Sequence, residues 1–94
     1  MELHKWLANV VGSTVAQSAF YEEVFKELLT YGKVYPAELK GWNRVSRSVW
    51  LKRLCDLQIL TKSKEGFKGR WFYKWNPHFL GYMNELYKKI KKVL

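Results

Sequence analysis

Three side chains in this sequence have the chemistry of a catalyst, His4, Cys55 and His78, and they stand far apart along the chain. Nucleophilic catalysis needs a base within hydrogen-bond reach of the attacking atom, and acid–base work needs a matched pair of groups. Glu22 and Glu23 are adjacent, so on a helix they face different directions. One cysteine and two histidines supply neither a disulfide nor four zinc ligands, and there is no glycine-rich phosphate loop. The sequence therefore predicts a protein that is not an enzyme and uses no metal or cofactor. Cys55 is expected to be a small buried apolar residue.

The chemistry this chain does carry is cationic. Its formal net charge is +9, from 17 basic and 8 acidic residues, and the two halves differ in sign. Residues 1–39 hold three Lys against five Glu; residues 40–94 hold fourteen basic residues against Asp56, Glu65 and Glu85. Charge segregated in this way repels itself and points to an anionic partner, nucleic acid first and an anionic membrane surface second. Five Trp and six Tyr exceed what a core of this size requires, so some are expected at an interface. A lone cysteine fits a reducing compartment, and a cytoplasmic location is expected. Residues 7–19 include Asn9, Gly12, Ser13, Thr14, Gln17 and Ser18, too polar for a membrane span. The start of the chain lacks the features of a signal peptide.

Periodicity supplies the elements that would position these cations. Residues 2–11 read as a short helix with Leu3, Trp6, Leu7 and Val10 on one face, ended by Gly12. Thr14 and Gln17 form a capping box that opens a second helix. There Ala16, Phe20, Val24 and Leu28 recur every four residues beside Phe25, Leu29 and Tyr31, and Gly32 closes it. Pro36 suits the first position of a short helix over 36–40. Asn43 or Ser46 caps a third helix whose apolar face is Trp50, Leu51, Leu54 and Leu57.

Residues 61–64 and 70–75 flank a turn containing Gly66 and Gly69, which predicts a β-hairpin. Its second strand alternates Trp71, Tyr73 and Trp75 with Arg70, Phe72 and Lys74. The aromatic row is assigned to the core, with stacking on unpaired bases as the alternative. Phe67 and Phe72 are left over for contact. Asn76 and Pro77 begin a last helix striped by Phe79, Met83, Leu86, Ile90 and Val93. The expected fold is mainly α with a small β-hairpin, in one domain over 1–94. It comprises a helical extension (1–13), a core (14–75) and a C-terminal helix (76–94).

Leu51, Leu54, Leu57, Gln58, Ile59 and Leu60 resemble the recognition-helix end of bacterial and archaeal winged-helix regulators. Residues 69–75 and the helix after them are similar to the wing end of archaeal transcription-factor winged helices. Gln58 stands where that pattern has glycine, and Arg47 where it has valine. The resemblance covers about residues 14–94 and implies a winged helix-turn-helix with extra N- and C-terminal helices. It implies that the third helix enters the major groove, with Arg44, Ser46, Arg47, Ser48, Val49 and Lys52 near base edges and Arg53 on phosphate. Lys62, Lys64, Lys68, Arg70 and Lys74 of the wing would then lie along phosphates.

These readings lead to sequence-specific binding of double-stranded DNA by a transcriptional regulator acting as a homodimer. The dimer interface is expected at Leu3, Trp6, Leu7, Met83, Leu86, Tyr87, Ile90 and Leu94, since paired half-sites multiply specificity. A stripe that only covers the core is the alternative. The alternative function is a winged-helix module for protein contact in a transcription or replication assembly. Binding of the basic C-terminal helix to a membrane surface is a third reading, and a folded core makes little sense there. No membrane partner is expected.

Overall fold

The three α-helices after the first begin where the side chains of Thr14, Asn43 and Asn76 accept from their first N–H groups. The computed structural model describes residues 2–93, with α1 over Leu3–Val11, α2 over Val15–Tyr31, a 3-10 turn over Pro36–Glu38 and α3 over Arg44–Asp56. Strands β1 (Leu60–Lys64) and β2 (Trp71–Trp75) follow, and α4 runs over Pro77–Val93. The chain is thus mainly helical with one antiparallel hairpin. Among the described residues no helix is long and apolar enough to cross a membrane.

Thr14 caps α2 by accepting from the Gln17 N–H at 3.0 Å. Gln17 does not return the bond to Thr14. Its Oε1 accepts instead from the N–H and hydroxyl of Ser13, and its Nε2 donates to the Tyr21 hydroxyl at 3.3 Å. Tyr21 in turn donates to the Trp50 carbonyl at 3.1 Å. A polar chain therefore runs from the exposed α1–α2 turn through buried Gln17 and Tyr21 to α3, which makes Gln17 a satisfied core residue. Gly12 brings the two helices close: a Cβ there would lie 2.8 Å from Ser18 Cα.

The buried face of α2 is Gln17, Phe20, Tyr21, Val24, Phe25 and Leu28. Ala16, Leu29 and Tyr31 are exposed, contrary to the expected stripe, because the burial spacing runs through 17, 21 and 25 instead of 16. The short helix expected over 36–40 is a single 3-10 turn, closed by the Leu39 N–H on the Pro36 carbonyl at 3.1 Å. Just before it, Val34 exchanges two backbone hydrogen bonds of 2.9 Å with Tyr73, adding a one-residue third rung to the hairpin.

Asn43 Oδ1 caps α3 by accepting from Val45 and Ser46 N–H groups. At the other end the Gln58 N–H reaches the Cys55 carbonyl and the Ile59 N–H reaches the Leu54 carbonyl, both at 2.9 Å. That bond pair is a Schellman closure, with buried Leu54 and Ile59 as its apolar contact. Gln58 holds its left-handed position at φ 61°. The reversal leaves Leu57 exposed, which removes it from the expected apolar face of α3.

The core joins Leu7 and Ala8 of α1, the α2 face, Val34, Leu39, Leu51, Leu54, Ile59, Leu60, Tyr73, Trp75 and Met83. Phe25 stacks on Trp75 at 5.5 Å between ring centroids, and Trp75 on Phe79 at 6.0 Å. Leu7 and Met83, expected at a dimer interface, are buried inside this one chain and have no surface left to offer a partner. Leu3, Trp6 and Leu86 are half-buried. The expectations placed on Tyr87, Ile90 and Leu94 fall outside the described side chains.

Candidate nucleic-acid interface

Helix α3 carries four cations, and its packing divides them. Leu51 and Leu54 bury one side of the helix. Arg44, Val45, Ser48, Val49 and Lys52 are exposed on the other, at spacings of three and four residues, and Ser46 is half-buried. Arg47 and Arg53 leave from the edges of the buried side and turn inward. Arg47 Nη1 donates to the carbonyls of Pro36 at 2.6 Å and Leu39 at 3.4 Å, while its buried Nε has no partner. Arg53 Nη1 donates to the Val11 carbonyl at 2.6 Å. The structure thus commits both guanidinium groups to the protein's own backbone.

The hairpin register decides which of its side chains face α3. Lys62 pairs with Tyr73 and Lys64 with Trp71, so these four share one face of the sheet. Thr61 with Lys74, and Ser63 with Phe72, form the opposite face. The first face turns toward the helix: Ser48, Lys52 and Cys55 of α3 line a cleft of about 340 Å³ together with Lys62 and Tyr73. Two cations from separate elements, Lys52 and Lys62, therefore stand on one concave surface. Lys64 continues it outward along β1, and Lys68 is exposed in the hairpin loop.

The remaining two hairpin cations go elsewhere. Arg70 lies 3.5 Å from Glu38 and its guanidinium sits 3.9 Å from the Tyr35 ring centroid. Lys33 pairs with Glu65 at 3.3 Å, and the Tyr35 hydroxyl donates to that same carboxylate. Phe72 packs on Tyr35. This cluster, with Lys74 exposed on the same sheet face, occupies the side of the hairpin away from the cleft. The charge expected along one wing edge is split between two faces.

Cys55, expected as a small buried apolar residue, packs against the core but is only half-buried and also lines the cleft. Burial, with Asp56 beside it, pushes its thiol above the ordinary range, while Lys62 pulls the other way. Burial and then Cys55 raise the Tyr73 phenol. Both groups therefore stay neutral near pH 7, leaving the lysines as the cleft's charge. His4 Nε2 lies 3.3 Å from Glu2, and His78 is exposed on α4. Among the described residues no three His, Cys, Asp or Glu side chains gather as a metal site.

The assignment of the whole aromatic row to the core misses Tyr73 as a cleft residue and fails for Trp71, which is exposed. Alternation places Trp71, Tyr73 and Trp75 on one face, yet burial falls away along the row, from Trp75 and Tyr73 in the core to Trp71 half in solvent. The lysines at 62 and 64, cross-strand from Tyr73 and Trp71, were the available signal. No protein family, no characterised protein and no solved structure compared with this chain matches it.

Proposed function

We propose that this chain is a winged-helix protein that binds double-stranded DNA sequence-specifically, as a transcriptional regulator. The observation that carries the reading is the shared cleft, in which Lys52 of α3 and Lys62 of β1 stand on one concave surface. The order of α2, the Val34 rung, the 3-10 turn, α3, hairpin and α4 supports it, being the order of a winged helix-turn-helix. Arg44, Ser48, Val49 and Lys52 read base edges, with Arg44 suited to guanine and Val49 to a thymine methyl. Lys62, Lys64 and Lys68 neutralise phosphates and fix the register without reading sequence. Such a regulator works in the cytoplasm, where the lone thiol stays reduced. Leu3, Trp6 and Leu86, half-buried, are the residues through which it pairs as a homodimer.

Selection of bound DNA from a random pool at physiological salt tests this. Enrichment of a motif that weakens when Lys52 is changed to Ala is the expected result, with two half-sites if the dimer forms. Retained binding with no enriched motif removes sequence reading, and no binding removes the function.

A second reading is favoured by Val45 and Val49, which are 69% and 57% exposed on the same helix face. Apolar side chains presented by a helix also suit a partner protein in a transcription or replication assembly. Failure to bind any DNA, with a defined protein complex lost on Val49→Asp, would select that reading.

A further inference from the structure

We propose that the outer half of the hairpin binds unpaired nucleotides, so that the preferred ligand is a duplex ending in a short single strand. The inference rests on the duplex-binding reading of α3 and adds a second surface to it. Trp71 is 50% exposed at the far end of the cleft-side face of β2, and Phe67 is 90% exposed in the loop beyond. Lys62 Nζ lies 5.0 Å and Lys64 Nζ 5.5 Å from the Trp71 ring centroid. Lys68 follows Phe67 directly. Two accessible aromatic rings and three cations thus occupy one end of a small hairpin.

The acidic side chain that could neutralise this end is held away from it. Glu65 is the one acid in 60–75, and it is bound by Tyr35 and Lys33 on the opposite side of the sheet. Aromatic rings interleaved with cations match single-stranded nucleic acid, whose bases offer free π-faces while its phosphates need neutralising. A continuous duplex hides those faces between neighbouring base pairs. The lysines flank the Trp71 ring within contact distance, so a base stacked on its uncovered part brings its own phosphates within their reach. A lipid surface would also accept exposed aromatics and lysines, but insertion needs the ring to project past the charges. Trp71 sits among them.

The test measures affinity of the full chain for a blunt duplex, the same duplex with a short oligothymidine overhang, and the same duplex with an abasic overhang. The base-bearing overhang should raise affinity on the order of tenfold, and the abasic one should give little of that gain. Trp71→Ala should abolish the gain and leave blunt-duplex affinity unchanged, whereas Trp71→Phe keeps most of it. Phe67→Ala changes a side chain that is almost wholly in solvent, so folding is preserved, and part of the gain should go. Equal affinity for blunt and overhang duplexes overturns the proposal, as does an abasic overhang that gives the full gain. Trp71-dependent binding to anionic phosphatidylserine vesicles with no overhang effect overturns it in favour of a lipid surface. If free oligothymidine, measured alongside, binds through Trp71 while blunt duplex does not bind, the duplex reading fails and the preference for a duplex end fails with it, and only the site for unpaired nucleotides on the hairpin stands.

Discussion

Arg53 in α3 donates from Nη1 to the main-chain carbonyl of Val11 at 2.6 Å, fastening the helix to the last residue of α1. Arg47 does the same for the 3-10 turn through Pro36 and Leu39. Both act as braces that hold α3 against its neighbours, and the exposed cations of the helix are Arg44 and Lys52.

Arg53→Ala and Arg47→Ala should each lower stability by about 1–3 kcal/mol, the range for a charge-assisted bond whose carbonyl partner is left behind. Urea denaturation measures the loss. Neither change should reduce the salt dependence of DNA affinity below that of the unaltered chain, as loss of a phosphate contact would.

Gln58→Gly should stabilise the protein. A non-glycine residue at φ 61° costs about 1–2 kcal/mol, and the extra freedom glycine gives the unfolded chain takes back about 0.4–1 kcal/mol. A net gain of roughly 0.5–1 kcal/mol corresponds to a melting point higher by about 2–8 °C in a domain this size. Gln58→Ala, which keeps the Cβ, should gain nothing by thermal melting.

Local signals made the elements legible. Thr14, Asn43 and the pair Asn76–Pro77 mark helix starts, and alternation marks β2. The unexpected features depend on partners remote in sequence. Arg53 finds a carbonyl 42 residues away, which helical spacing cannot reveal. Alternation shows that Trp71 shares a face with Tyr73, but the end of the core is set by where α3 stops packing. The opposition of Lys62 and Lys64 to Arg70 and Lys74 follows from strand register, which depends on the length of the turn.

The cleft also makes an alkaline pH prediction. Burial raises the folded-state values of Cys55 and Tyr73 above their ordinary ranges. A raised folded value means that stability is complete below the unfolded value and is lost as pH rises through the folded one. Stability measured by urea should thus be insensitive to these two groups up to about pH 8.5 and fall above it. Cys55→Ser should remove the earlier part of the fall, and an unchanged profile would place the thiol outside the cleft wall.

Salt titration of duplex affinity bears most directly on the claim that α3 and the hairpin present their charge together. If the phosphate contacts Lys62, Lys64 and Lys68 each displace ~0.9 counterion, the logarithmic slope is about −2.7, roughly a 40-fold loss between about 50 and 200 mM salt. Lys62→Ala should flatten that slope by ~0.9, Lys52→Ala should relax sequence preference instead, and Lys74→Ala, on the far face of the sheet, should leave the slope unchanged. A flat response in the unaltered chain, or an effect of Lys74→Ala on the slope equal to that of Lys62→Ala, would contradict the account.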